Sequence, residues 1–168
     1  MSELIVRGRA WKFGDNIDTD IIIPSKYYLG RDPELWAKHI MEPIRPDFPE
    51  KVRKGDIVVA GRNFGCGSAR DAASALKYAG IEAVVSESIA RTFYRNSINI
   101  GMIPIICKGA YQEIGEGDEL EIDLTRGEIV DATTGRIFKF EPFPTLVMQI
   151  LRKSGIIGFL KDWLKAQG

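Results

Sequence analysis

The chain has 168 residues, enough for one domain with a proper hydrophobic core, and we expect a single domain across residues 1–168. Lysine plus arginine and aspartate plus glutamate both number 23, so the zero net charge argues against nucleic acid or an anionic membrane as a partner. No apolar run reaches membrane-spanning length, and Met1 is not followed by a basic region and an apolar stretch, so we expect a cytoplasmic protein.

Cysteine and histidine are scarce, which limits the chemistry that this chain can do alone. The two cysteines, Cys66 and Cys107, form no CxxC pair, so neither a disulfide scaffold nor a metal or cluster site can be built from this chain. The chain has a single histidine, His39, so most hydrolase triads are excluded. We expect His39 late in a helix, at the surface or in the last turn. Difficult chemistry would therefore need a metal supplied by another chain.

The N-terminal third mixes short apolar runs with polar loops. Its pattern predicts a strand at 5–13, a polar loop at 14–20, a short buried strand at 21–23, a helix from Asp32 to about Met41 and an irregular, proline-rich connection at 42–54.

The middle of the chain alternates between apolar strands and helices. Strands are predicted at 57–60, 83–85 and 103–106, and helices at 69–79 and 89–100. This β-α-β-α-β order implies parallel strands joined by right-handed crossovers. Gly80 is expected to end the first helix and Ser88 to cap the second. The polar face of the second helix, with Arg91, Arg95 and Asn96, should be solvated or meet a partner.

After Gly109 the pattern changes to hairpins. Turn signals separate predicted antiparallel strands at 119–124, 128–131 and 136–140. A helix at 144–153 and an amphipathic segment at 156–166 follow, and the apolar face of that last segment either covers the core or meets another subunit. The whole chain is therefore predicted to be an α/β domain with a parallel core and C-terminal antiparallel hairpins.

The segment from Asn63 to Asp71 is the most informative stretch. Its two glycines let the backbone turn sharply and approach a ligand closely. Ser68 is predicted at the N-cap of the next helix, where free N–H groups and the helix dipole favour an anion or a serine alkoxide. The positive charge of Arg70, in the first turn, is unfavourable by about 0.3–1 kcal/mol because it lies at the positive end of that dipole. Either Asp71 or a bound carboxylate should offset its charge.

A turn of this kind is also typical of two other functions. A strand, a glycine turn and a helix also hold nucleotides, but Arg70 occupies the third glycine position of the fingerprint and no P-loop lysine is present. Cys66 has no histidine nearby in the sequence to activate it as a nucleophile. We expect Cys66 to pack, with its backbone close to a ligand.

Four segments occur in a characteristic order and spacing: a loop with Asp18, Thr19 and Asp20, the Tyr28-Leu29 loop, the Gly-Cys-Gly-Ser turn at 65–68, and the segment 90–101. With this set the chain resembles the swivelling domain of the aconitase superfamily, and most of all the separate small subunits of 3-isopropylmalate dehydratase and homoaconitase. The resemblance implies a three-layer β/β/α domain docked on a large subunit, as a heterodimer or heterotetramer. That large subunit would carry a [4Fe–4S] cluster, and this chain would bind no cofactor or metal itself.

The resemblance also implies an activity, a hydro-lyase that removes water from a small dicarboxylic or tricarboxylic hydroxy acid and returns it at the neighbouring carbon. Ser68 would remove the proton next to a carboxylate, and Arg70 would bind a substrate carboxylate. Cys66, Gly67 and Ala69 would lie beside the substrate.

The chain departs from the usual motif, Gly-Ser-Ser-Arg-Glu-His, at three positions. Ala69, Asp71 and Ala72 replace the second serine, the glutamate and the histidine. The second serine often donates a hydrogen bond to the substrate, so Ala69 would weaken or alter the substrate's binding. A non-catalytic regulatory or scaffold domain therefore stands as an alternative.

The resemblance assigns the choice of substrate to the loop with Tyr28, Leu29, Gly30 and Arg31. Homoaconitase-like loops place an arginine directly after the leucine, whereas isopropylmalate enzymes usually place an apolar residue there. Gly30 leaves room for a branched apolar group, and Arg31 either faces solvent, pairs with Asp32 or swings in. These features favour an isopropylmalate enzyme of leucine biosynthesis, and homoaconitate or methyl-substituted malates stay open.

Overall fold

A curled seven-stranded sheet forms the frame of the computed structural model, which describes residues 4–68 and 71–168. The strands are β1 Ile5–Phe13, β2 Ile57–Ala60, β3 Ala83–Ser86, β4 Ile103–Ile106, β5 Glu119–Asp123, β6 Glu128–Asp131 and β7 Ile137–Lys139. Their order across the sheet is β4-β3-β2-β1-β5-β6-β7.

Strand β1 is the seam of this sheet, because its two halves pair differently. Its second half runs parallel to β2, with Ala10 opposite Ile57, and its first half runs antiparallel to β5, with Arg9 opposite Glu119. Strands β2, β3 and β4 continue the parallel part, and β5, β6 and β7 continue the antiparallel part. This confirms the predicted α/β fold with a parallel core and C-terminal hairpins.

The parallel strands are covered on both faces, as their continuous apolar runs require. Along β2, Val58 and Ala60 belong to a core shared with the helices, while Ile57 and Val59 belong to a core shared with the antiparallel strands. All four side chains are buried. The chain therefore stacks helices, parallel strands and antiparallel strands, which is the expected three-layer β/β/α arrangement.

Eight α-helices are found within the described residues: α1 Thr19–Ile22, α2 Pro33–Ala37, α3 Phe48–Lys51, α4 Ala72–Ala79, α5 Arg91–Asn99, α6 Ala110–Glu113, α7 Thr145–Arg152 and α8 Ile156–Gln167. A 3-10 turn, Ser25–Tyr27, lies between α1 and α2. Asp32 caps α2 as predicted, by accepting a hydrogen bond from the Leu35 N–H at 3.1 Å. Gly80 ends α4 as predicted, at φ 115°. None of these helices is long and apolar enough to span a bilayer.

The last helix leaves much of its apolar face exposed. Helix α8 packs against α7 and α5 but has no buried residue, and Ile157, Trp163 and Leu164 are each more than half exposed. Of the two predicted alternatives for this face, covering the domain's own core is therefore wrong for the described chain.

The strand predicted at 21–23 is wrong, because those residues belong mainly to helix α1. Three consecutive apolar residues suit one helical turn as well as a strand. Asp18 decides between them, since its carboxylate accepts a hydrogen bond from the Ile21 N–H at 2.8 Å and caps the helix. Ile22 and Ile23 are nevertheless fully buried, as expected.

Two further local predictions need correction. Ser88 does not cap α5, which has Ala90 at its N-cap. The Ser88 hydroxyl instead accepts a hydrogen bond from the Asn63 N–H at 2.8 Å. The connection at 42–54 is not wholly irregular, because it contains helix α3, whose Phe48 is fully buried.

Asp56 joins β1 to the start of β2, and its removal should destabilise the fold. Its Oδ2 accepts hydrogen bonds from Trp11 Nε1 at 2.8 Å and the Arg53 N–H at 2.9 Å, and the residue is buried. Asp56→Ala leaves both donors without this acceptor, so we expect the free energy of unfolding to fall by about 2–4 kcal/mol. Urea denaturation of the isolated chain measures this change.

Asp47→Ala is the matched control for that experiment. Asp47 pairs with Lys51 at 2.9 Å, but its side chain is about half exposed, and an exposed ion pair contributes little to stability. Equal unfolding midpoints for the two variants would contradict a structural role for Asp56.

Candidate active site

Three loops meet at one edge of the sheet, because β1, β2 and β3 are parallel and their carboxyl ends lie together. The loop after β1 and the glycine turn after β2 are joined by two backbone hydrogen bonds. The Gly65 N–H donates to the Ile17 carbonyl at 2.7 Å, and the Thr19 N–H donates to the Cys66 carbonyl at 2.9 Å. These bonds bring together two of the segments that carry the predicted site.

The segment after β3 closes the other side of the glycine turn. The Phe64 N–H donates to the Ser88 carbonyl at 3.1 Å, and the Ala90 N–H donates to the Phe64 carbonyl at 2.9 Å. The turn then approaches α5 so closely that a Cβ at Gly65 would lie 2.3 Å from Cγ of Phe93. Gly65 also has a φ of 77°, so both backbone conformation and space require glycine here.

Ser68 ends this turn, exposed and within hydrogen-bonding distance of a buried hydroxyl. Its Oγ lies 3.3 Å from Oγ1 of Thr19, which is 3% exposed. The predicted N-cap role of Ser68 is wrong, because α4 begins at Ala72 with Asp71 at its N-cap. Ser68 faces the first residue of α1 instead. A threonine hydroxyl in this position can donate a hydrogen bond to a developing serine alkoxide.

Ser68 lines a small cavity of about 100 Å³. The polar side chains around it belong to Thr19, Ser68, Arg91, Thr92 and Asn96, and Gly65, Gly67, Ala90 and Phe93 complete its walls. Arg91 is the one charged residue among these described lining residues, so the cavity favours an anion.

Two predicted substrate-binding residues, Ala69 and Arg70, lie outside the described residues. The cavity also includes residues that sequence reasoning gave no individual role. Arg91 and Asn96 were predicted only as part of a polar helix face, and Thr92 was predicted only as part of the segment 90–101. The available signal was their position in the helix that follows the third parallel strand. Because the carboxyl ends of parallel strands meet, that position alone put them near the glycine turn.

A larger cavity, of about 620 Å³, lies elsewhere and shares no lining residue with the Ser68 cavity. It opens between β4 and the segment that follows β7, with walls from Tyr94, Ile106, Phe140 and Phe143 among others. Its chemistry-bearing groups are the phenol of Tyr94 and the carboxyl of Glu141. Burial, followed by the charge of Glu141, raises the pKa of Tyr94. The Ser68 cavity is the better candidate because Thr19, Gly67 and Ser68, three of the predicted site residues, line it.

The loop expected to choose the substrate is only partly attached to this site. The Tyr28 hydroxyl donates to Oδ2 of Asp71 at 3.0 Å, directly before α4. Leu29 is 75% exposed, and Gly30 and Arg31 are also exposed. None of these loop residues lines the Ser68 cavity. Within the described chain Arg31 forms no ion pair.

The base of this loop is held by a cluster around Glu42. One Glu42 oxygen lies 2.6 Å from His39 Nδ1 and the other accepts from Lys26 Nζ at 3.3 Å. The His39 ring stacks on Tyr27, with 3.6 Å between ring centroids. The hydrogen bond with His39 lowers the pKa of Glu42, and Lys26 adds to this effect. His39 therefore holds a loop. It is partly buried, and it lies in the turn after α2, which ends at Ala37 and not near Met41 as predicted.

The remaining predicted residues take supporting positions. Asp18 caps α1, as described above, and Asp20 is exposed in the first turn of that helix. Burial raises the pKa of the Cys66 thiol, and the nearby Asp18 carboxylate raises it further. A thiol that stays protonated at neutral pH is a poor nucleophile, which agrees with the expected packing role. Cys107 is buried and lies 3.4 Å from the Lys139 carbonyl.

The described residues do not fit a metal or cluster site. Across 4–68 and 71–168, no three or more histidine, cysteine, aspartate or glutamate side chains are placed to hold a metal ion. The two cysteines also lie in different places, one at the glycine turn and one in the core.

Comparison with known proteins identifies close relatives of the chain. Residues 10–110 match the family model of the aconitase C-terminal domain. The isopropylmalate/citramalate isomerase small subunit of Methanocaldococcus jannaschii is 50% identical over 158 residues, 94% of each chain. The methanogen homoaconitase small subunit of Methanothermobacter thermautotrophicus is 49% identical over 156 residues, 92% of this chain and 90% of the relative.

A solved structure is equally similar. The crystal structure of 3-isopropylmalate dehydratase from Methanocaldococcus jannaschii superposes with a TM-score of 0.91. It is 48% identical and the match covers 98% of both chains. The similarity therefore extends well beyond the glycine turn to the whole fold.

Gly65→Ala should separate steric crowding from backbone conformation at the turn. Its Cβ would overlap Phe93 in a left-handed backbone, so we expect the free energy of unfolding to fall by about 3 kcal/mol. Gly30→Ala is the matched control, since Gly30 has a similar φ of 83° but nothing within 4 Å of the added Cβ. It should cost about 1 kcal/mol. Equal losses in urea denaturation would show that the contact with Phe93 is unimportant.

Cys66 should react slowly with iodoacetamide at pH 7.5, because its raised pKa leaves less thiolate than an ordinary cysteine, whose pKa is about 8.5. The rate should climb as the pH rises above that ordinary value. Peptide mass spectrometry assigns the modification to Cys66 or Cys107. The same chain in urea serves as the control, and faster alkylation of Cys66 in the folded chain than in urea at pH 7.5 would contradict the raised pKa.

Proposed function

The chain belongs to the aconitase C-terminal domain family, and we propose that it is the small subunit of a heteromeric hydro-lyase that isomerises a 2-hydroxy dicarboxylic acid. The enzyme removes water from the substrate and returns it with the hydroxyl on the neighbouring carbon. All 168 residues act as one domain, in the cytoplasm. Seven strands in a single sheet, from Ile5 to Lys139, support the one-domain proposal.

The position of Ser68 carries this proposal. Its exposed hydroxyl lies in an anion-favouring cavity and within 3.3 Å of the buried Thr19 hydroxyl. In the first half-reaction the Ser68 Oγ alkoxide takes the proton from the carbon beside a substrate carboxylate, and the electron pair of that C–H bond forms the new C=C bond. The hydroxyl on the adjacent carbon leaves with its C–O electron pair as hydroxide, which takes up a proton from solvent and becomes water. An unsaturated diacid forms, and the same groups return water in the opposite orientation. Thr19 stabilises the serine oxygen by donating a hydrogen bond to it.

A large subunit completes the enzyme. The relatives that match nearly the whole chain are named small subunits, and the described residues of this chain do not fit a cluster. We therefore assign the [4Fe–4S] cluster to the large subunit, where it would act as a Lewis acid toward the substrate. The part of this chain is to move the proton and bind carboxylates, with Arg70 as the expected carboxylate-binding residue.

3-Isopropylmalate is the substrate we propose first. Gly30 offers no side chain in the loop that follows Leu29, and nothing lies within 4 Å of where its Cβ would be, which suits a branched apolar group. Citramalate and homoaconitate are the second candidates, because relatives of the same degree of identity are named for them. Arg31 is exposed and forms no ion pair with the residues that the structure describes, so its guanidinium is available to the additional carboxylate of homoaconitate.

The first test is an anaerobic pull-down from the native cell with this chain as bait, followed by a visible spectrum and side-by-side assays. We expect a larger, brown partner and hydro-lyase activity that is fastest with isopropylmalate. Faster turnover of citramalate or homoaconitate would reassign the substrate. A chain that captures no partner under oxygen-free conditions and turns over none of the three acids would favour a scaffold role instead.

Ser68→Ala should abolish turnover by the reconstituted complex while assembly with the large subunit is retained, since the substitution removes the proton acceptor and little else. Steady-state kinetics measure the activity, and size-exclusion chromatography measures the assembly. Ser25→Ala, at an exposed serine of the 3-10 turn, is the control and should keep full activity. Near-normal turnover by Ser68→Ala would end the assignment of Ser68 as the base.

A further inference from the structure

The Ser68 cavity contains a second candidate for binding a substrate carboxylate. We propose that Arg91, the first residue of α5, contacts one carboxylate of the diacid, in addition to the expected contact by Arg70. This inference rests on the proposed hydro-lyase function. It adds a residue from a different loop, the one after β3, to the glycine turn after β2.

The cavity brings Arg91 to the same space as the reacting group. Arg91 and Ser68 both line it, together with the hydroxyl-bearing Thr19 and Thr92 and the amide of Asn96. A diacid whose acidic carbon lies at Ser68 has a carboxylate on that carbon. The polar groups available to such a carboxylate along the described walls are the arginine, the two threonines and the asparagine, with no acidic side chain to repel it.

Among the residues that the structure describes, none balances the charge of Arg91. Arg91 is exposed, and within the described residues it forms no ion pair or side-chain hydrogen bond. It begins a nine-residue helix that has no acidic residue in its first turn. A cation at the positive end of a helix is unfavourable, so an anion beside it would be stabilised both by the guanidinium and by the helix end.

Arg95 is an exposed arginine of the same helix that lies outside the cavity. It lies one turn further along α5 and is also exposed, but it does not line the Ser68 cavity. The two arginines therefore differ mainly in their distance along the helix from the site, which makes Arg95 a matched control.

The test compares Arg91→Gln, Arg91→Lys and Arg95→Gln in the complex with the large subunit, using 3-isopropylmalate or whichever diacid the wild-type complex turns over. Arg91→Gln should raise KM about ten- to hundredfold, with a much smaller change in kcat, because it removes a charged hydrogen bond to the substrate. Arg91→Lys should fall between Arg91→Gln and the wild type, since it keeps the charge but loses the planar fork. Arg95→Gln should change KM by less than about threefold.

Two mono-amides of the diacid, each with one carboxylate converted to a primary amide, distinguish binding from a general structural effect. As inhibitors of the wild-type complex, both should bind more weakly than the diacid. Arg91→Gln should weaken the binding of the diacid and of one mono-amide. The binding of the other mono-amide should hardly change, because that compound has already lost the carboxylate that Arg91 contacts.

Each alternative outcome is distinct. Equal KM values for Arg91→Gln and Arg95→Gln would overturn the proposed carboxylate contact. So would an Arg91→Gln variant that binds the diacid and both mono-amides more weakly by the same factor. Loss of the large subunit from Arg91→Gln on size-exclusion chromatography would also overturn it and assign Arg91 to the subunit interface. Failure of the proposed function is seen separately, as a wild-type complex that turns over no diacid, and the inference then fails with it.

Discussion

The site depends on two backbone hydrogen bonds that join the loop after β1 to the glycine turn after β2, Gly65 to Ile17 and Thr19 to Cys66. They place the buried Thr19 hydroxyl beside Ser68. The left-handed conformations of Gly65 and Gly67 allow the turn to reach these partners while its other side packs on α5. A serine at the end of such a turn is oriented by its surroundings rather than by its own helix.

The chain is electrically neutral as a whole, yet the candidate site is locally positive. Equal numbers of acidic and basic residues give zero net charge, but the described lining of the Ser68 cavity has one charged residue, an arginine. The acidic residues close to the site have other partners. Asp18 caps α1, and Asp71 accepts a hydrogen bond from Tyr28. The local arrangement therefore gives the cavity a positive charge that the overall composition does not reveal.

The contact between Tyr28 and Asp71 links the glycine turn with the loop expected to choose the substrate. The Tyr28 ring packs on Trp36, and its hydroxyl donates a hydrogen bond to Asp71, the N-cap residue of α4. The base of the loop is held by the contact between His39 and Glu42. The next residues, Leu29, Gly30 and Arg31, are exposed and outside the cavity. The loop is therefore anchored at its base and open at its tip.

The sequence by itself determined the parallel β-α-β-α-β core and the C-terminal hairpins, and it singled out the glycine turn that ends at Ser68, because apolar runs, glycine turns and helix ends are local signals. Prediction from the sequence failed where one local pattern suits two structures and tertiary contacts decide between them. Residues 21–23 belong mainly to a helical turn, because Asp18 caps that helix. The Ser88 hydroxyl accepts a hydrogen bond from the Asn63 N–H and does not cap α5. Only the folded chain shows that Thr19 and Arg91, 49 residues before and 23 residues after Ser68 in the sequence, line one cavity with it. Such long-range proximity follows from strands whose carboxyl ends share one edge, and no local pattern encodes it.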